Sequence, residues 1–391
     1  MLKYFFVGLL GFMISINVFA AKWEGVAGSV VAHSSASTQK YLGSPSLCVL
    51  EDGTYVASHD FFGPKSNEFI SAQTDIYQSK DKGLTWEKIS SLNQFWSGLF
   101  YHNGALWLMG ARNNADDCVI RKSLDGGKTW TEPADENSGL LLKREKSANG
   151  EYGYHTAPCA VVVANGRIWR AMEFVPRLSW GDFAAFVMSA PIDADLLKAS
   201  SWTITNKIKF PIQLKGITYW TWLEGNVIKE EKSGKIYNML RVEGATDDIA
   251  AIIEVSNSGE SAVFKQDNGF VRMPGANKKF VPRYDASTKK YYSLTNYIPE
   301  EYRKTLSPGG VRNTLALVES DDMRTWRATK ILLQSDDVKY DGFQYVDWAF
   351  DGDDIIFLSR TAFFDGKQKA HNNHDSNFIT FHRVKYKNEK K

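Results

Sequence analysis

The stretches "SKDKGLTW", Ser79 to Trp86, and "SLDGGKTW", Ser123 to Trp130, decide the fold. Each places a Ser, an Asp, a Gly, a Thr and a Trp at the same offsets, and "ESDDMRTWRAT", from Glu319, is a decayed third copy. A recurring local signature means a repeated structural unit. The Ser and Asp suit the capping of a tight turn, the Gly permits its backbone angles, and the Trp is large enough to fill a seam between units. The element is scaffold, so its Asp81 and Asp125 are poor catalytic candidates.

Working outward, each copy follows a hairpin written by turn chemistry. "PSLCVLEDGTYVASHDF" reads as an apolar run, an Asp52-Gly53 turn and an alternating run. The same shape recurs in "SGLFYHNGALWLMGARN", "APCAVVVANGRIWRAMEF", "NVIKEEKSGKIYNMLRVEG", "PRYDASTKKYYSLTNY" and "VDWAFDGDDIIFLSRTAFF". Helical periodicity is confined to pieces such as "PEEYRKTL". Short strands at regular spacing in a four-strand unit predict an all-β fold, a single β-propeller of four-stranded blades, with six units counted. The strand "GSVVAHS" is expected to close the ring on the last blade. Asp135 to Gly153 reads as an insertion.

Composition bounds the function. The 391 residues carry a formal net charge of +2, which argues against a general nucleic-acid binder. Aromatic residues reach 13%, suiting both an all-β core and stacking on sugar rings. "MLKYFFVGLLGFMISINVFAA" has a basic start, an apolar run and a small-residue stop, so residues 1–20 read as a signal peptide cut after Ala20. The propeller then spans 21–391. No Cys follows the cut, so the protein is expected to be secreted or periplasmic without a lipid anchor, and no further segment is long enough to span a membrane. Cys48, Cys118 and Cys159 each open an apolar run and read as buried small hydrophobes, with one disulfide left open.

The repeated motif resembles the Asp box of the sialidase-like propeller superfamily. A wider likeness rests on "YLGSPSLCVLEDGTYVASHDFFG", "YGYHTAPCAVVVANGRIWRAMEF" and "AHNNHDSNFITFHRV". These resemble a propeller group containing ulvan-type polysaccharide lyases and a rhamnosidase acting on rhamnosyl-glucuronic acid. That resemblance implies seven blades, and for the lyases a Tyr, a His and a carboxylate-neutralising Arg.

Alternate turns of a blade fall on opposite faces. The hairpin turns and the Asp boxes share one face. The second-strand ends and the segments leading into first strands share the other, and ligands bind at such a mouth. It collects His59, Asp60, Arg112, Arg170, Glu173, Arg241, Asn296 and Arg360 from the strand ends. Tyr154, His155, Tyr219, Trp222, Arg283, Tyr345 and Asp347 come from the leading segments, and His371, His374 and Asp375 from the last loop. Guanidinium groups grip carboxylate or sulfate, and aromatics stack on sugars, so an anionic polysaccharide or oligosaccharide is the expected partner, with neither nucleic acid nor membrane.

Three chemistries fit. The first, led by the lyase resemblance, is β-elimination at a uronic acid. Arg170 would neutralise the carboxylate, Tyr154 would move the proton with a pKa lowered by nearby Arg, and His59 or His155 would be its partner. Arg112, Tyr219, Trp222, Arg241, Arg283, Tyr345, Arg360, His371 and His374 would bind substrate. The second is glycoside hydrolysis, by a carboxylate pair drawn from Asp60, Glu173 and Asp347 or by the rhamnosidase's single histidine. Sialic-acid hydrolysis fits less well, since sialidases take the first of three carboxylate-binding Arg near the start of blade 1 and the first Arg here is Arg112. A non-catalytic sugar-binding propeller is the third. None needs a cofactor. The spacing of "HNNHD" leaves a structural divalent metal open.

Overall fold

The computed structural model describes residues 23–147, 150–176, 181–211, 219–244 and 248–387. The expected signal peptide lies outside them. The chain is an all-β propeller, 4% helical, and its strands form six antiparallel sheets taken in sequence order. Blade 1 holds Tyr41–Leu42 and Ser46–Val49 innermost, then Tyr55–Phe62, Thr74–Ser79 and Glu87–Leu92. Blade 2 holds Phe95–His102, Ala105–Ala111, Cys118–Ser123 and Leu140–Leu142. Blade 3 begins with Gly150–His155 and Val162–Ala164, and continues through Arg167–Pro176 and Ala184–Pro191. Blade 4 runs Tyr219–Lys229, Ile236–Gly244, Ile249–Val255, and blade 5 Arg283–Asp285, Lys290–Thr295, Thr314–Ser320, Arg327–Gln334. Blade 6 is Gly342–Asp351, Asp354–Ala362 and Phe378–Lys385, with Ser29–His33 added as its outermost strand. That last pairing closes the ring as the sequence predicts. The seventh blade implied by the resemblance is not formed among the described residues.

Among the described residues six apolar cores lie one per seam, and a seventh, smaller cluster joins Ala115, Val175, Phe183 and Leu223 of blades 2, 3 and 4. Tyr55, Leu42 and Phe381 join blades 1 and 6, while Val56, Leu99 and Leu108 join blades 1 and 2. Strands alternate their side chains between the two faces of a sheet, so each blade feeds two seams. Asp135 to Gly153 is not a detached insertion. It supplies the outer strand of blade 2, and Glu145–Ser147 pairs with Gly150–His155 at the edge of blade 3.

The Asp boxes behave as staples. Ser79 Oγ donates to Asp81 at 2.8 Å and accepts from the Gly83 amide at 2.8 Å, and the Thr85 amide donates to Asp81 at 2.9 Å. Ser123, Asp125, Gly127 and Thr129 repeat the pattern. Gly83 and Gly127 sit at φ 89° and 101°, which explains the glycine. Hydrogen bonds from the Thr85 side chain and amide hold Asp81 down at about 2, so it stays ionised. Trp86 packs against Phe381 of blade 6 at 5.5 Å, and Trp130 joins the seam between blades 1 and 2. The three cysteines are free and buried, and burial pushes their thiols up to about 12.

Candidate active site

Three inner strands, those of alternate blades, break their pairing near the start. The register slips between Phe95 and Gly98 in blade 2, between Leu223 and Asn226 in blade 4, and between Gln344 and Asp347 in blade 6. Each slip holds one bulky residue at positive φ: Trp96 at 46°, Glu224 at 57° and Tyr345 at 51°. A bulge re-aims a side chain, and such backbone costs of order 1–3 kcal/mol unless its surroundings enforce it. The enforcing groups are present. The Trp96 amide donates to Asp60 Oδ2 at 2.7 Å, the Gly225 amide to Glu173 Oε1 at 2.9 Å, and the buried Lys279 ammonium to Val346 O at 2.7 Å.

All three re-aimed residues line one cavity of about 180 Å³, together with Ser44, Asp60, Phe62, Glu68, Asn114, His155, Arg360 and His374. One side of it is cationic. Arg360 stacks its guanidinium on Tyr345 at 4.3 Å and on Phe62 at 4.5 Å, and donates to the His374 carbonyl. Arg312 reaches the Tyr345 ring at 5.9 Å and donates to Gln344 Oε1. Arg241 pairs with Glu224 at 3.0 Å. Among the described residues neither Arg312 nor Arg360 forms an ion pair, although both are buried. Burial first, then repulsion from Arg241 and Arg360, pushes Arg312 down to about 10. Buried charge without a carboxylate is costly, which favours an anion against these two groups.

The same cavity holds an acid. Asp60 is 2% exposed and accepts from the Ser44 and Trp96 amides at 3.1 and 2.7 Å. Burial raises its pKa to about 7, with Glu68 adding to the rise and the Trp96 amide and Arg360 opposing it. A carboxyl poised there is protonated much of the time at neutral pH, as a general acid requires. The fit is tight. A Cβ on Gly43 would lie 1.5 Å from Asp60 Oδ1, so only glycine admits this carboxyl.

The cavity gathers Asp60, His155, Tyr345, Arg360 and His374 from among the sequence candidates, with Arg241 beside it. Other candidates go elsewhere. Tyr154 is 4% exposed within the seam of blades 2 and 3, with its hydroxyl toward Glu145. Burial and then Glu145 push its pKa up, the reverse of the lowering expected beside Arg. His59 alternates with Asp60 along one strand, so it turns from the cavity and stacks on Tyr77. Arg170 is fully buried and spends its guanidinium on the Cys159 and Ala157 carbonyls and on Thr156, where it shapes the cavity wall rather than meeting a ligand. Arg112 pairs with Asp117, Arg283 pairs with Asp347, and Trp222 is core. His371 stacks on Tyr41 at the surface. The Tyr219 side chain lies outside the described residues. Glu173 is buried behind His155, and Asp347 ties blade 6 to Ser46 and Leu47 of blade 1. Among the described residues no group of three His, Cys, Asp or Glu is placed to hold a metal.

Sequence reasoning passed over Glu224, Arg312 and Trp96. The one signal for Glu224 is "WLEGN", a carboxylate and a glycine interrupting an apolar inner strand. Arg312 precedes its strand in "GGVRN", where the turn rule does not look.

Comparisons with known proteins place the fold. No family model matches the chain, and no curated protein matches it. Among solved structures it is similar to Hadza microbial sialidase Hz136, with a TM-score of 0.60 at 13% identity over 92% of this chain and 68% of that one. It is similar to Penicillium chrysogenum α-L-arabinanase complexed with arabinobiose, with a TM-score of 0.56 at 14% identity over 92% and 98%. It is also similar to Trypanosoma rangeli sialidase in complex with sialic acid, with a TM-score of 0.56 at 17% identity over 90% and 54%. The chain folds as a β-propeller like those of the sialidases and arabinanases.

Proposed function

We propose that the protein is an exported, exo-acting glycoside hydrolase that removes a terminal acidic sugar whose carboxylate lies beside the anomeric carbon, the sialic-acid type. One observation carries this reading. Asp60, whose pKa is raised to about 7, lines one cavity with Tyr345, Glu224 and Arg360, and Arg312 and Arg241 stand beside Tyr345 and Glu224. The carboxylate of the sugar rests on Arg312 and Arg360. Asp60 gives its proton to the leaving oxygen, while Tyr345 Oη attacks the anomeric carbon and Glu224 takes the phenolic proton. Water then attacks the anomeric carbon with Asp60 taking its proton, the bond to Tyr345 Oη breaks, and Glu224 returns its proton to the departing tyrosine. A tyrosine nucleophile is a known departure from the usual carboxylate pair, and a neutral phenol is not repelled by a carboxylate on the carbon it attacks. The arginine missing from blade 1 is the obstacle raised by the sequence. Here Gly43 and Ser44 occupy that approach, and Arg360 of blade 6 brings the charge instead. The small cavity holds one sugar end rather than a chain threaded through a groove, and the sialidase and arabinanase neighbours are glycan-acting propellers.

Lyase action is the second reading, favoured by one observation: Tyr345, His155 and Arg360 share the cavity, the residue types elimination needs. Incubation with aryl glycosides of sialic acid and with uronic-acid polysaccharides separates the two. Hydrolysis frees the aglycone and a saturated sugar acid, whereas elimination leaves an unsaturated, ultraviolet-absorbing end.

A further inference from the structure

We propose that Glu173, which reaches neither the cavity nor a ligand, is a positioning residue that couples the ring of His155 to the bulge carrying Glu224. The proposal rests on the reading of Glu224 as the base beside the nucleophile. Glu173 is fully buried on the second strand of blade 3, paired in register with His155. Its two oxygens do two jobs. Oε2 meets His155 Nδ1 at 2.7 Å, and Oε1 accepts the Gly225 amide at 2.9 Å. Gly225 follows Glu224, so the second contact fixes the peptide that sets the Glu224 side chain at φ 57°. The Cys159 thiol donates to the Glu224 carbonyl at 3.5 Å and steadies the other side of the same residue.

The first contact fixes a proton. A carboxylate only accepts, so Nδ1 of His155 carries hydrogen and Nε2 is the ring nitrogen that Glu173 does not touch. The ring is wedged edge-on against Trp96 at 4.3 Å and against Phe183 at 4.9 Å, which holds its plane. Blades 2, 3 and 4 thus meet through one carboxylate: Trp96 and His155 on one side, Glu224 and Arg241 on the other. The carboxylate behind the imidazole plays the orienting part that such groups play behind working histidines.

Glu173→Gln tests the coupling, because the amide is nearly isosteric. Its oxygen still accepts from Gly225, but its NH₂ now donates to His155 Nδ1 and drives the ring proton to Nε2. The expected result is a folded protein whose ¹⁵N imidazole spectrum shows His155 changing tautomer. The kcat on whichever acidic glycan the parent hydrolyses should fall roughly 10- to 100-fold with KM little changed. His155→Gln, which removes the imidazole altogether, should cost at least as much as Glu173→Gln, and the double variant less than the sum. An unmoved His155 tautomer, or additive losses, would overturn the proposal. If the parent hydrolyses no acidic glycan but eliminates uronic acid, the functional reading fails. The tautomer test still decides the first contact, and amide exchange at Gly225 in Glu173→Leu decides the second by rising if the contact is real.

Discussion

At the scale of residues, the account turns on Asp60 and Tyr345. In the proposed mechanism Asp60 works as its protonated form, and its pKa is raised to about 7, chiefly by burial. Turnover should therefore hold at lower pH and decline as pH rises through about 7, by about tenfold per pH unit well above it. Glu68 raises that pKa, so Glu68→Gln should move the alkaline limb to lower pH, measured as kcat/KM against pH. A limb that stayed in place would detach Asp60 from the proton transfer. Asp60→Asn should cost about 100-fold or more, and Tyr345→Phe, which keeps the ring on Arg360, a similar amount with binding retained. At this scale the sequence was half legible. Arg360, Tyr345 and His155 follow from the geometry of blades. Tyr154 and His59 did not hold their places, because a strand shows its side chains to both faces and a one-residue step separates Asp60 in the cavity from His59 in a seam.

At the scale of elements, the turns were readable and the bulges were not. Asn103-Gly104 and Asn165-Gly166 both adopt the paired positive φ that their composition demands. The bulges at Trp96, Glu224 and Tyr345 carry no such mark, since tertiary partners enforce them: Asp60, Glu173 and Lys279. Gly43→Ala should displace Asp60 by collision and reproduce much of the Asp60→Asn loss, while the interblade cores and the melting temperature change far less than the rate. The Asp boxes predict the opposite separation. Asp81→Ala removes hydrogen bonds from the Ser79 and Thr85 side chains and the Thr85 amide, and should cost about 1–3 kcal/mol of stability in denaturant unfolding, with kcat unchanged. A loss of kcat in folded Asp81→Ala would mean that the opposite face is part of the site.

At the scale of the molecule, six seams build the ring, which brings groups from blades 1, 2, 3, 4 and 6 to one cavity, with Arg312 of blade 5 against the Tyr345 ring. The six repeats were legible because turn chemistry and the Asp box recur along the chain. Of the three arginines, Arg241 and Arg360 were legible as strand ends at the mouth, whereas Arg312, which precedes its strand, was not. Arg312→Met should lower kcat/KM on an acidic sugar by about 100-fold, and Arg312→Lys should recover little, because an ammonium cannot form a two-pronged grip. The most direct test of the central claim is product analysis with an aryl glycoside of sialic acid, beside a uronic-acid polysaccharide and a neutral arabinoside. The account predicts release of the aglycone and a saturated sugar acid from the first, lost in Tyr345→Phe and Asp60→Asn, with no ultraviolet-absorbing product from the second and no release from the third. A rise in ultraviolet absorbance from the polysaccharide, with the sialoside left intact, would contradict it.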